Sequence, residues 1–148
     1  MIAVPAEARG AVAIGWATVE LERAAGELSH LLSPGSTFLE APSSVILGAR
    51  CRVGLAADDP CLRILLLEPE TEGRLAATLA RSGEGWAATW AADPAAGGRV
   101  GAPAAGQRGA RATLSTVRPG PLGVERLVLG GPLTGPHRLV VEAVPSPP

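Results

Sequence analysis

The side chains that most often perform chemistry are scarce in this sequence, and their spacing does not suit a shared reaction. The chain has two histidines and two cysteines. His30 falls in a predicted helix and His137 begins a predicted strand, and we interpret them as a solvated helix residue and a strand-end residue. Alternate strand residues face opposite sides, so His137 and Glu142, which lie in the same predicted strand, cannot chelate one ion together.

Two glutamates are candidates for a general base. Glu142 lies in the last predicted strand and Glu84 in a Gly-Glu-Gly turn. Either carboxylate could remove a proton next to a carbonyl group. Each also has an ordinary interpretation, Glu84 as a turn residue and Glu142 as a residue at a sheet rim.

The remaining nucleophile and phosphate motifs are absent. Cys51 and Cys61 have no neighbouring histidine and no Cys-X-X-Cys spacing, so we predict buried small hydrophobes that could face each other on paired strands. Ser82-Gly83 does not follow a strand, which argues against a nucleophile elbow. The glycine-rich segment GGRVGAPAAG matches neither a dinucleotide fingerprint nor a P-loop.

Composition narrows the classes of partner. The 148 residues suit one domain, and the formal net charge is −1 with arginines and acids interspersed. This charge pattern argues against a nucleic-acid partner. No apolar run approaches the ~20 residues of a membrane span, and no basic flank with an apolar block begins the chain. We therefore expect a cytoplasmic protein with no membrane partner.

Hydrophobic periodicity predicts a strand and a helix at the start of the chain, followed by three more strands. Residues 11–19 favour a strand, and helical leucine spacing runs from Glu20 to a stop at Pro34-Gly35. Residues 36–40 and 44–55 predict strands with breaks at Pro42 and Gly48. A buried strand follows at 62–68, and Pro69 ends it.

The same order of elements recurs in the second half. Residues 71–81 predict a short helix and 86–92 a strand. Asp93-Pro94 could begin a helix, but the glycine-rich residues up to 110 favour a loop. Strands are predicted at 111–117, 123–129 and 138–144. A faint internal repeat of residues 15–26 at 85–98 supports two β-α-β-β-β halves.

These segments carry a resemblance to a known superfamily. The stretch LRILLLEPETEGRLAATLARSGEGWAATW, with IGWATVELERAA and LGAR before it, resembles the methylmalonyl-CoA epimerase-like members of the vicinal-oxygen-chelate (VOC) superfamily, which includes glyoxalase and bleomycin-resistance proteins. The resemblance implies an α+β fold in which two βαβββ modules form one cupped eight-stranded mixed sheet. It implies a single domain over 1–148, with modules at about 11–69 and 85–145 and a linker helix at 70–84, and commonly a homodimer.

The resemblance also implies where a metal would sit. Superfamily members hold a divalent ion on one ligand from each of four strands inside the cup, and those positions fall here on Ala13, Leu65, Ala88 and Glu142. Other alignments move the last two to Trp86 and Val141, or bring Glu84 near the site. Hydrocarbon side chains cannot ligate a cation, so we predict no metal and no cofactor.

Strand alternation then predicts what lines the cup in place of a metal. The predicted ligand-binding residues are Arg63, Leu65, Leu67, Trp86, Ala88, Trp90 and Glu142, with Gly15 and Ala17 on the same face and Trp16 toward the covering helix. Arg63 would pair with an anion at the mouth and Glu142 would accept a hydrogen bond. Two interpretations of this face stay open, an apolar Trp-lined pocket and a filled core.

Three functional hypotheses follow. The first is a metal-free VOC-fold protein, expected to form a homodimer, that binds a small apolar or anionic molecule. The second is an isomerase or lyase of the glyoxalase or epimerase type, with Glu142 or Glu84 as its catalytic base. The third is a degenerate module whose filled cup serves only structure or assembly.

Overall fold

The computed structural model describes residues 2–92, 113–129 and 136–141. These residues form two α-helices, two short 3-10 helices and nine strands. In chain order they are a 3-10 helix at Ala6–Ala8, β1 Ala13–Ala17, α1 Leu21–Leu28, a 3-10 turn at Ser29–Leu31, β2 Leu39–Ser44, β3 Ala49–Leu55, β4 Arg63–Pro69, α2 Arg74–Ser82, β5 Gly85–Ala92, β6 Thr113–Leu114, β7 Arg118–Gly120, β8 Gly123–Leu129 and β9 His137–Val141.

The strands form one curled mixed sheet. Eight strands follow one another in the order β2-β3-β4-β1-β5-β9-β8-β6, and β7 also pairs with β8. The central strand β1 runs parallel to β4 and antiparallel to β5, and β5 runs parallel to β9. The predicted α+β architecture with a cupped mixed sheet is confirmed. Within the described residues, no helix has the length and apolar character needed to cross a membrane.

Helix α1 packs on the outer face of β1 and β4. Leu21, Ala24 and Leu28 recur at helical spacing and are buried together against Leu66 of β4. Trp16 of β1 packs against the same cluster. The α-helix ends at Leu28, earlier than the predicted stop at Pro34, because the chain tightens there into the 3-10 turn.

The inner face of the sheet carries the main hydrophobic core. Residues directly opposite each other on paired strands share a face, and Ala13 lies opposite both Arg63 and Trp90. Helix α2 adds Leu75 to this core, and the Leu75 N–H donates to the Leu47 carbonyl over 3.1 Å. The buried members are Ala13, Ala17, Leu47, Ala49, Cys51, Leu65, Leu67, Leu75, Ala87, Ala88, Trp90, Leu127, Leu139 and Val141.

Two sequence predictions about this region are wrong. Pro42 does not break the chain, since β2 continues to Ser44 with a shift of register after Ala41 that accommodates a residue without an N–H. The cysteines do not face each other either. Cys51 is buried on β3 whereas Cys61 is exposed in the turn before β4, so only Cys51 is a buried small hydrophobe.

We predict that Gly15→Ala destabilises the protein. A Cβ at this position would lie 2.7 Å from the Leu67 Cδ1 and 2.9 Å from the Trp90 Cζ3, inside normal contact distance. We expect a loss of about 1–3 kcal/mol in the free energy of unfolding, measured by urea denaturation.

The matched control is Gly26→Ala in α1, where a Cβ would meet no atom within 4 Å. This variant should gain about 0.5–1 kcal/mol from the lower helical cost of alanine. Equal stability of Gly15→Ala and the wild type would contradict the close approach of Trp90 to β1.

Candidate functional site

A β-bulge between β1 and β5 determines which tryptophans share a face. Gly15 lies opposite Ala88, but the next pair is Trp16 opposite Trp86, so Ala87 is an extra residue in β5. Ala87 and Ala88 both pack in the inner core. Beyond the bulge, Trp86 therefore faces the same side as Trp16.

The two tryptophans are in direct contact on the outer face. The Trp16 and Trp86 rings are T-shaped, with centroids 5.1 Å apart and an interplanar angle of 87°. This geometry corrects the prediction that Trp86 lines the cup and Trp16 alone faces the helix. Strict alternation fails at a bulge because one strand contributes two residues against one of its partner.

The inner face is packed at the positions where a ligand pocket was predicted. Leu65, Leu67 and Trp90 are 0% exposed, and Ala88 is 1% exposed. The Trp90 ring lies over Gly15 and against Leu67, in the space that the missing side chain leaves. These four residues pack as a core, which favours the second of the two interpretations, a filled inner face, over an open pocket.

Of the two polar residues predicted to contact a ligand, the structure describes Arg63 but not Glu142. Arg63 is half-buried at the first position of β4, opposite Leu55 on one side and Ala13 on the other. No hydrogen bond or ion pair joins its side chain to another described residue. Glu142 lies outside the described residues, immediately after β9 ends at Val141.

The buried acid of the inner face is Glu125, which sequence reasoning missed. Its side chain on β8 is fully buried, and its carboxylate accepts hydrogen bonds from the Trp90 Nε1–H over 2.8 Å and from the Ser44 hydroxyl over 2.7 Å. Gly120 gives the carboxylate its space, because a Cβ there would overlap it. The segment GVERLVL carries the available signal, since alternation puts Glu125 on the same face as Leu127.

Glu125 joins strands that are distant in the sheet order. Ser44 ends β2 at one edge of the sheet, whereas Glu125 belongs to β8 near the other edge. The Val45 N–H also donates to the Pro119 carbonyl over 3.2 Å, which brings the end of β2 against β7. Burial raises the pKa of the Glu125 carboxyl, and the two hydrogen bonds partly oppose that rise.

Glu84, the other proposed base, is committed to a structural role. Its carboxylate accepts hydrogen bonds from the Thr18 hydroxyl and the Val19 N–H, each over 2.9 Å, and from the Arg23 guanidinium over 2.6 Å. The Arg23 hydrogen bond is the main cause that lowers the Glu84 pKa to about 2. Such a carboxylate is a poor base near neutral pH, and here it ties the start of α1 to β5.

An open groove lies between Trp86 and helix α2. One depression of about 410 Å³ adjoins a smaller one of about 130 Å³, and Trp86 and Pro136 line both. We call this surface the Trp86 groove. Its larger part is lined by Thr78, Arg81, Ser82, Gly83, Glu84, Gly85, Trp86, Ala87 and Pro136.

The histidines occupy separate places. The His137 Nε2 lies 3.0 Å from the Thr78 hydroxyl of α2, and burial together with nearby Arg74 and Arg81 lowers its pKa. The His30 Nε2 lies 2.7 Å from the Ile2 carbonyl, and His30 belongs to the 3-10 turn that follows α1. Among the described residues, no group of three histidine, cysteine, aspartate or glutamate side chains could hold a metal ion.

Solved structures provide the comparison with known proteins. Methylmalonyl-CoA epimerase from Mycobacterium tuberculosis superposes with a TM-score of 0.66 at 22% identity, over 98% of this chain and 94% of that one. A hypothetical protein from Bacillus halodurans gives a TM-score of 0.64 at 15% identity, over 93% and 96% of the two chains. The chain has the vicinal-oxygen-chelate fold.

The VOC fold is what these similarities establish, since the identities are low. A methylmalonyl-CoA epimerase in complex with methylmalonyl-CoA and NH4+ is a further match, with a TM-score of 0.62 at 22% identity over 93% of this chain and 97% of that one. No protein-family model matches the sequence, and no curated protein matches it at a significant level.

We predict that Glu125→Gln and Glu125→Ala act in opposite ways on stability. The folded state raises the Glu125 pKa above 4.5, so the folded protein binds more protons and loses stability as pH rises from 4.5 through the folded pKa. Gln keeps both hydrogen-bond partners without a charge, so this variant should match or exceed the wild type at neutral pH and lose that slope. Ala leaves Trp90 and Ser44 without a partner and should cost about 2–4 kcal/mol.

The measurement is urea denaturation across the acidic to neutral range. Glu40→Gln, at an exposed position of β2, is the control and should reproduce the wild-type pH profile. If the free energy of unfolding of Glu125→Gln depends on pH as that of the wild type does, the Glu125 carboxyl is not the source of the pH dependence.

Proposed function

We propose that this chain is a metal-free VOC-fold protein that binds a small organic molecule with an acid group in the Trp86 groove. The observation that carries the proposal is that Trp86 lies in an open depression of about 410 Å³ beside Arg81, while Leu65, Leu67 and Trp90 fill the inner face. A depression of this size falls within the ~300–1,000 Å³ of typical ligand pockets.

The chemistry of the groove favours a flat apolar body with a negative end. The half-buried Trp86 indole offers a rigid surface, and its ring N–H is already used by the Ala3 carbonyl over 3.0 Å. Arg81 and Ser82 supply hydrogen-bond donors along one wall. The groove's acid, Glu84, is neutralised by Arg23 and so does not repel an anion.

The proposed absence of a metal rests on the residues of the inner face. The positions that would correspond to metal ligands in the superfamily include Ala13, Leu65 and Ala88, whose side chains offer no lone pairs. Neighbours of this fold bind small molecules, as the complex of methylmalonyl-CoA epimerase with methylmalonyl-CoA illustrates. The fold therefore suits a small-molecule function, whereas the chemistry of a metal-assisted reaction lacks its ligands among the described residues.

We also propose a cytoplasmic homodimer. Both cysteines are free and Cys61 is exposed, which suits a reducing compartment. Leu39 and Leu55, which are 65% and 45% exposed, lie on neighbouring strands and offer apolar surface for a second copy.

The packed inner face favours a second candidate function, an assembly module without a small-molecule ligand. The isomerase or lyase alternative depends on Glu142, because Glu84 is held by Arg23 and Glu125 is inaccessible to a substrate. Native mass spectrometry of the purified protein separates the two leading candidates. A co-purified organic mass supports the binder, and a bare dimer supports the assembly module.

We predict that the purified protein carries no stoichiometric divalent metal. Elemental analysis should find well below one ion per chain, and added Co²⁺ should leave the melting temperature unchanged, because a bound ion would stabilise the folded state by mass action. One tightly bound ion per chain would contradict the metal-free proposal.

The groove itself can be tested with anilinonaphthalene sulfonate, an aromatic probe with one negative charge. Fluorescence titration of the natively folded protein should show one site that Arg81→Gln weakens about fivefold, the equivalent of one charge-assisted hydrogen bond lost at a partly exposed position. Trp86→Ala should weaken the probe further, with the fold checked by circular dichroism.

The matched control for the probe is Arg50→Gln. Arg50 is exposed on β3 and pairs with Glu68 over 3.2 Å, away from the groove. Probe binding that is equally sensitive to Arg50→Gln and Arg81→Gln, or insensitive to both, would locate the ligand elsewhere and overturn the proposal.

A further inference from the structure

Four side chains beside the Trp86 groove form a positively charged surface. Arg74, Thr78 and Arg81 are spaced four and three residues apart in α2, which places them on one face of the helix. His137, the first residue of β9, meets this face, with its Nε2 3.0 Å from the Thr78 hydroxyl. We call Arg74, Thr78, Arg81 and His137 the basic strip.

The arginines of the basic strip have no acidic partner among the described residues. The ion pairs found there involve Arg23, Arg50 and Arg52. Arg74 and Arg81 are exposed and take part in none of them. The acid nearest in sequence to Arg81 is Glu84, whose carboxylate already accepts two hydrogen bonds from Arg23.

The charges that face His137 from its neighbouring elements are also mainly positive. Helix α2 contributes Arg74 and Arg81, and both lower the His137 pKa. Strand β5 carries no charged side chain. On β8, Arg126 and Glu125 lie opposite Val140 and Val141, at the far end of β9, and Arg138 is adjacent on β9 itself. The strip is therefore a surface that an anion would neutralise.

Building on the proposed function, we propose that the acid group of the ligand is a phosphate monoester held by the basic strip while its organic part packs on Trp86. A phosphate carries a charge of about −1.5 to −2, which matches two guanidinium groups, whereas a carboxylate or sulfonate carries only one negative charge. Its oxygens can accept from the Arg74 and Arg81 guanidinium groups at once. The Thr78 hydroxyl donates to the Arg74 carbonyl over 3.0 Å and contacts the His137 Nε2, so the two arginines are the donors of the basic strip.

Phenyl phosphate is the probe that tests this inference, with benzenesulfonate as the matched monoanion. Titration calorimetry at neutral pH should show phenyl phosphate binding at least about tenfold more tightly, since the second charge adds a second charge-assisted pair. Arg74→Gln should weaken phenyl phosphate about fivefold and leave anilinonaphthalene sulfonate unchanged, because Arg74 is not among the residues that line the groove.

The two histidines provide an internal control in the wild-type protein. The imidazole signals can be followed by NMR in a pH titration with and without phenyl phosphate. Bound phenyl phosphate should raise the His137 pKa by half a unit or more, which corresponds to about 0.7 kcal/mol of added interaction. The His30 imidazole signals should not change when phenyl phosphate is added, since this ring lies against the Ile2 carbonyl and outside the basic strip.

Failure of this inference is distinguishable from failure of the proposed function. If anilinonaphthalene sulfonate binds in an Arg81-dependent manner but phenyl phosphate binds no more tightly than benzenesulfonate, the phosphate inference is wrong and the groove remains a ligand site. If phenyl phosphate binds without a shift of the His137 pKa, the basic strip is not where it binds. If neither probe binds, both proposals fail.

Discussion

The hydrogen bonds that Glu125 accepts from Trp90 and Ser44 are the constraint around which the inner face is arranged. An isolated carboxylate in a protein interior is strongly unfavourable unless it is paired or protonated. Here two donors at 2.8 and 2.7 Å partly compensate the burial, and both come from other strands. The same contact fixes the Trp90 indole over Gly15 and holds the end of β2 near β8. One carboxylate on β8 thus links this strand to β2 through Ser44 and to β5 through Trp90.

The candidate site lies between Trp86 and helix α2, beside the packed interior. The Trp90 ring occupies the space above Gly15, and Leu65 and Leu67 of β4 are fully buried. The bulge at Ala87 then turns Trp86 outward, where it meets Trp16 and lines an open groove. Two tryptophans four residues apart in one strand therefore have different roles, one in the core and one at a surface.

Much of the fold could be predicted from the sequence because its signals are local. Helical leucine spacing located α1, the run from Ile64 to Leu67 located β4, and Pro69 marked the end of β4. The site could not be predicted in the same way. A bulge depends on how two distant strands pair, and Glu125 becomes interior only when β2 and β5 bring Ser44 and Trp90 to it. Alternation alone placed Trp86 on the wrong face because it does not predict the bulge. It left Glu125 unnoticed because the hydrogen-bond partners of this residue lie on distant strands.

Three of the positions implied as metal ligands by the resemblance belong to the hydrocarbon core of this chain. At Ala13, Leu65 and Ala88, hydrocarbon side chains pack against one another, and this packing stabilises the sheet without any ion. The acid that remains inside is bound by neutral donors, and the acid near the outer groove is bound by Arg23. Neither carboxylate is available to a cation or a substrate. Among the described residues, the charge near Trp86 without an ion-pair partner is instead positive and is carried by Arg74 and Arg81, which is why we propose an anion as the ligand.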